Sequence, residues 1–253
     1  MSTLAGKLAL VTGASGEIRS AVARRLAQVG ARVIAHYGSN RKDADDVVRA
    51  IVAAGGEAEA VGSDLSLPDG VASLIDQVDR TFGGTSAGRL DVLVNNAGSF
   101  AFGSIVDTSD DEFDRIFAIN VRSPFQLARE AVRRMSASGW GRIINVGSVF
   151  GQATPAAGMS LSCGSKFALA GLTRAWSRDV GAAGITVNAV QPALIQSEPF
   201  PIDGPLVDAK DRFSSVDRFG RGSDVAEAIA YLASPAARYV NGVCLNVDGG
   251  WSA

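Results

Sequence analysis

Apolar runs of strand length alternate with stretches of helical periodicity from one end of this chain to the other. Leu8-Ala9-Leu10-Val11 reads as a first strand. A glycine-containing turn and a helix over about Ile18 to Val29 come next, with Gly30 where a C-cap glycine sits. Arg32 to His36 reads as a second strand, Asp43 to Ala54 as a helix, Glu57 to Gly62 as a third strand and Val71 to Phe82 as a helix. Val92-Leu93-Val94 and Ile143 to Val146 give a fourth and fifth strand, flanked by helical stretches over about Asp111 to Ser136 and Leu161 to Val180. Ile185 to Val190 is a sixth strand, Asp224 to Ala233 a last helix and Val243 to Val247 a last strand.

Alternation of this kind predicts an α/β fold, a parallel sheet with helices on both faces. Ligands of such sheets bind beyond the carboxyl ends of the strands, where strand order reverses. Chemistry is therefore expected in the residues just after each strand. Gly83 to Gly88 reads as a surface loop, so one domain is expected over residues 1–253. Leu194 to Gly222, irregular and rich in Pro, Asp and Ser, reads as a substrate lid.

Composition removes several function classes. Twenty-four basic and 26 acidic residues, with no basic block, argue against a nucleic-acid footprint. No apolar run approaches the roughly 18 residues of a membrane span, and the N-terminus lacks a signal-peptide layout. Two cysteines, Cys163 and Cys244, make no disulfide framework and suit a reducing compartment, so a cytoplasmic protein is expected. His36 is the only histidine, and no Gly-x-Ser-x-Gly elbow is present, so neither a zinc site nor a hydrolase triad is expected.

After the first strand comes Thr12-Gly13-Ala14-Ser15-Gly16-Glu17-Ile18-Arg19. Glycines between a strand and a helix let backbone N–H groups approach a pyrophosphate at the helix N-terminus. Asp64-Leu65 follows the third strand, Asn95-Asn96-Ala97-Gly98 the fourth and Asn145-Val146-Gly147-Ser148 the fifth. Ile119-Asn120-Val121 lies in the long helical stretch, and Ser162-Cys163-Gly164-Ser165-Lys166 in the next one. Pro192-Ala193-Leu194-Ile195 follows the sixth strand, and the chain ends Val247-Asp248-Gly249-Gly250-Trp251-Ser252-Ala253.

These segments together resemble the short-chain dehydrogenase/reductase family along the whole chain, which implies a Rossmann-type doubly wound sheet and hydride transfer with a nicotinamide cofactor. The resemblance assigns cofactor contacts to Thr12, Gly13, Ser15, Gly16, Ile18, Asp64, Leu65, Asn96, Ala97, Gly98, Lys166, Pro192 and Ile195. Ser39, Asn40 and Arg41, with no acid before Asp43 at the end of the second strand, resemble the set that holds a 2′-phosphate, so NADP(H) is expected. Thr12, Gly13 and Gly16 meet the family's glycine pattern, but Glu17 and Arg19 depart from it. A carboxylate at 17 would repel a diphosphate. The long Arg19 side chain is expected to escape outward, or to pair with Glu17 or a phosphate.

The same resemblance assigns Ser148 to orient the substrate oxygen, Lys166 to tune the proton donor and Asn120 to support a proton-relay water. Position 162 and Lys166, at i and i+4, share a helix face. The family's tyrosine is replaced by Ser162. A serine oxygen falls about 4 Å short of a phenol oxygen and is a far weaker acid, and loss of a general acid typically costs about 10²- to 10⁴-fold in rate. Cys163, about 100° around the helix from Ser162, reads as a buried thiol. The expectation is an NADP(H)-dependent oxidoreductase with impaired turnover, its proton carried by water from Lys166; the alternative is a non-catalytic relative that binds a nucleotide, ligand or protein partner. Pro199, Phe200, Pro201, Ile202 and Phe213 in the lid, with Phe150 and Met159, suggest a hydrophobic carbonyl compound or alcohol as substrate. The C-terminal segment resembles that of tetrameric family members, so a homotetramer is expected.

Overall fold

All seven strands read from the apolar runs form and join one sheet in the order β3-β2-β1-β4-β5-β6-β7. They are β1 Leu8–Val11, β2 Arg32–Tyr37, β3 Ala58–Gly62, β4 Val92–Asn95, β5 Gly141–Val146, β6 Ile185–Pro192 and β7 Cys244–Val247. Every pairing is parallel. The helices are α1 Glu17–Gln28, α2 Arg41–Ala53, α3 Gly70–Arg80, α4 Asp110–Phe117, α5 Ser123–Ser138, α6 Ser160–Val180 and α7 Gly222–Ala233. The computed structural model describes residues 3–14, 16–196, 214–216 and 218–253. Ser15, most of the expected lid and its apolar candidates Pro199, Phe200, Pro201, Ile202 and Phe213 lie outside the described residues.

Both faces of the central sheet are covered, which is why strands such as β1 and β4 read as short apolar runs. Ala9, Val11, Val33, Val94 and Ile144 enter one core with Val22 and Leu26 of α1 and Ile229 of α7. Their strand neighbours Leu8, Leu10, Ile34, Leu93 and Ile143 enter the other, with Leu74 of α3 and Leu127 and Met135 of α5. The period of two along each strand thus distributes one sequence run between two cores.

Strand order reverses between β1 and β4, whose carboxyl ends open the crevice in which chemistry is expected. The stretch that reads as one helix from Asp111 to Ser136 is divided by a π-turn, Ala118–Arg122, between α4 and α5. Pro124 stands in the first turn of α5, where its missing N–H costs least. Helix α2 begins two residues before the expected start because the Asn40 side chain accepts the Asp43 N–H at 3.2 Å and caps it. Helix α3 stops at Arg80, before the expected Phe82, because Phe82 and Gly83 take left-handed conformations. No helix among the described residues is long and apolar enough to cross a membrane.

Candidate active site

The turn after β1 is braced from three sides. Thr12 Oγ1 accepts the N–H groups of Asn96 and Ala97, both at 3.0 Å, and the Asn96 side chain donates back to the Thr12 carbonyl at 3.1 Å. Gly13 has φ +63°, and a Cβ there would lie 2.9 Å from Ala97 Cα, so glycine is demanded by both backbone and space. From the third side, the Gly13 N–H donates to His36 Nδ1 at 3.0 Å, while His36 Nε2 faces the Ser63 carbonyl at 2.9 Å. A carbonyl only accepts, so Nε2 carries the hydrogen and the imidazole is neutral. Burial pushes its pKa down to about 4, against smaller upward pulls from the Ser63 bond and Asp64. The sequence marks His36 only as a strand end; its bracing role depends on a contact 23 positions away.

Gly16, at φ +102°, precedes α1, and no side chain among the described residues caps that helix. Its first N–H groups are therefore left without a side-chain cap among the described residues, next to half-buried Ile18. Glu17 is exposed. Arg19 corrects the expectation of an outward side chain: it turns in, and its Nη2 donates to the Gly98 carbonyl at 3.3 Å. Burial lowers its pKa. The segment Asn95-Asn96-Ala97-Gly98 thus touches the phosphate turn through Asn96 and Ala97, and Arg19 through Gly98.

On the far side of Gly98 stand Asn120 and Lys166. A Cβ on Gly98 would lie 3.4 Å from Asn120 Oδ1 and 3.5 Å from Lys166 Nζ, so these groups close on that glycine. Asn120, inside the π-turn, accepts the Ser99 N–H and donates to the Ser99 carbonyl and Ser165 Oγ, each at 2.9 Å. A π-turn at a functional side chain is a recurring arrangement. Lys166 donates to the Val146 carbonyl at 3.0 Å. Its pKa falls to about 8, first through burial and then through the charge of Arg19. Ser148, after β5, accepts the Phe150 N–H at 3.2 Å and donates to the Pro192 carbonyl at 3.4 Å. Ile195 beyond Pro192 is buried.

Ser162 is on the same helix face as Lys166, as its spacing requires, but its hydroxyl is engaged elsewhere. It donates to the Ala101 carbonyl at 2.8 Å and accepts the Ala101 N–H at 3.0 Å, with 0 % of the residue exposed. It therefore buttresses the loop after β4. Cys163 is buried and free, its Sγ 3.9 Å from the Ala153 carbonyl. Met159 is buried, and Phe150 packs edge-on against Trp251 at 6.4 Å.

At the other end of the crevice, Ser39, Asn40 and Arg41 follow β2. Asn40 Oδ1 is taken by the cap of α2, and exposed Arg41 makes a loose 3.4 Å pair with Asp45. The Asp64 carboxylate accepts the Ser66 hydroxyl and N–H, which lower its pKa, and Leu65 behind it is buried. The Tyr37 ring lies over Gly62, where a Cβ would meet it at 2.6 Å; apolar alternation does not single that tyrosine out.

The family model described as enoyl-(acyl carrier protein) reductase matches residues 13–252. A short-chain dehydrogenase from Burkholderia cenocepacia, solved in complex with NADP, superposes with a TM-score of 0.90 at 39 % identity over 99 % of this chain and 100 % of its own. This chain belongs to the short-chain dehydrogenase/reductase family. Two curated relatives differ in kind. The cyclic-di-GMP-binding biofilm dispersal mediator protein of Escherichia coli is 36 % identical over the full length of both chains. A trihydroxynaphthalene reductase of Pestalotiopsis fici is 35 % identical over 98 % of this chain and 90 % of its own.

Proposed function

We propose that this chain is an NADP(H)-dependent oxidoreductase that reduces a hydrophobic carbonyl compound, or oxidises the corresponding alcohol, with turnover limited by Ser162. The observation that carries the reading is the closure of Lys166 and Asn120 on Gly98, opposite the N-terminus of α1. The residues present suit a dinucleotide. Gly13 and Gly16 keep side chains out of the turn before α1, Arg19 and Lys166 bring positive charge to Gly98, and Ser39, Asn40 and Arg41 follow β2. The NADP complex of the Burkholderia cenocepacia relative supports the same choice.

When bound, the nicotinamide supplies or accepts the hydride. Ser148 donates to the substrate oxygen in place of its 3.4 Å bond to Pro192. Lys166, with a pKa near 8, remains mostly protonated at neutral pH and is the source of the proton. Asn120 ties the Ser99 backbone to Ser165 of α6, one residue before Lys166, and so holds the helix that carries Lys166 to the loop after β4. The single proton of the Ser162 hydroxyl is committed to Ala101, so a water carries the proton from Lys166 to the substrate oxygen. Calorimetric titration with NADPH, against NADH, tests the cofactor; ketone reduction that is weak and disappears in Lys166→Ala tests the relay. Turnover that survives that substitution excludes it.

A second reading, a non-catalytic binder of an anionic nucleotide, draws on the engagement of Ser162 with Ala101 and of Arg19 with Gly98. The name of the Escherichia coli relative points the same way. Binding of cyclic di-GMP in competition with NADPH, without carbonyl reduction, would favour it. Under either reading we propose a cytoplasmic homotetramer with residues 194–222 as a lid.

A further inference from the structure

At the opposite end of the sheet from the cofactor crevice, a cleft of about 520 Å³ opens beside the first residues of β5 and β6. Arg142 and Thr186 are direct partners in the register of these strands and so share one face. Arg142 is 2 % exposed and Thr186 6 %. The Arg142 Nη1 donates to the Gly141 carbonyl at 2.7 Å and the Gly184 carbonyl at 3.5 Å. Its guanidinium lies 4.5 Å from the centroid of the Trp140 ring. The opposite edge of the guanidinium, Nε and Nη2, makes no hydrogen bond among the described residues, and Nε is buried. The Thr186 hydroxyl is likewise buried with no partner among them.

An unpaired buried charge is costly, and here it stands beside an unsatisfied buried hydroxyl, both on residues that line one cleft. Burial alone lowers the Arg142 pKa, with no carboxylate opposing it. Asp91, whose carbonyl accepts the Arg142 N–H, has its carboxylate already held by Lys7, by the Leu8 N–H and by Arg89. None of the residues lining the cleft is acidic, and the rim adds a second arginine, Arg238. The Nε–Nη2 edge of a guanidinium presents two parallel N–H donors that match the two oxygens of a carboxylate. Two aromatic residues, Trp140 and exposed Tyr239, line the same cleft.

We propose that this cleft binds a small aromatic carboxylate, its two oxygens forked on the Nε–Nη2 edge of Arg142 and one of them accepting from Thr186. The volume is that of an ordinary small-molecule site. The site is separate from the oxidoreductase chemistry and does not depend on it.

Ligand-observed NMR titration of the full chain with benzoate, benzyl alcohol and inorganic phosphate tests the proposal, with and without saturating NADPH. Benzoate is expected to bind, benzyl alcohol and phosphate more weakly, and NADPH to leave benzoate in place. Arg142→Met is expected to weaken benzoate about tenfold or more. Thr186→Val, isosteric and outside the charge, is expected to weaken it about threefold or more while leaving the fold intact. Absence of benzoate binding, equal binding of benzyl alcohol, tighter binding of phosphate, displacement by NADPH, or indifference to Thr186→Val in the folded protein would each overturn it.

Discussion

The imidazole of His36 accepts the Gly13 N–H at 3.0 Å and so ties the end of β2 to the turn that follows β1. This bond exists only while His36 is neutral. Its pKa is about 4 when folded, against 6.5 for an ordinary histidine. Between these values the unfolded chain takes up a proton that the folded chain refuses. Stability therefore falls as pH drops from about 6.5 to about 4 and loses nothing more from this group below that. At about 1.4 kcal/mol per unit the loss amounts to roughly 3 kcal/mol. Urea unfolding at about pH 7.5 and about pH 4.5 should show it, and His36→Gln should remove that share of the acid sensitivity. An unchanged difference between the two pH values in the variant would assign the loss to other groups.

Lys166 titrates in the opposite part of the scale. Its folded pKa, about 8, lies below the ordinary 10.5, so the unfolded chain protonates first as pH falls. Stability should rise as pH is raised from 8 to 10.5. Lys166→Met should lack that rise and be more stable at neutral pH, by up to roughly 3 kcal/mol, while losing ketone reduction. Arg19→Ala should move the Lys166 pKa upward, which NMR of the Nζ resonance can follow.

Ser162→Ala leaves the Ala101 N–H and carbonyl without the partner they have in Ser162 and should cost about 1 to 3 kcal/mol in chemical unfolding. Ser162→Tyr gives up the same bonds but supplies a phenol. Carbonyl reduction in the presence of NADPH should rise by about 10²- to 10⁴-fold even as the melting temperature falls. No gain in a variant that binds NADPH normally would argue for the binding-protein reading.

Gly13→Ala should impair both folding and NADPH affinity, because the new Cβ meets Ala97 Cα at 2.9 Å in a left-handed backbone. The strain alone should cost about 1 to 3 kcal/mol. Near-wild-type melting and NADPH binding would show that the turn adapts.

The sheet is legible in the sequence because strands such as Val92 to Asn95 are buried on both faces and bounded by turns. The placement of Lys166, Asn120 and Ser148 is legible in motifs, since each motif lies directly after a strand or at helical spacing. Features that depend on contacts between distant segments stay hidden. The inward course of Arg19 is decided by the Gly98 carbonyl, 79 positions away, and the engagement of Ser162 by Ala101, 61 positions away. The π-turn at Asn120 leaves no mark in an apolar pattern that continues helically across it. The unpaired edge of Arg142 becomes visible only when β5 and β6 are in register.

The π-turn also couples two packing arrangements on one rod. Before it, Ile116 and Phe117 of α4 pack with Ala101 and Leu161; after it, Leu127, Ala128, Ala131 and Met135 of α5 pack on the sheet. Each residue removed from a helix rotates the remainder of that helix by about 100°. Deleting one residue between 118 and 122 would straighten the helix and leave only one half seated. The extra residue thus works as a phase adjuster between two cores, and Asn120 stands at the point of adjustment.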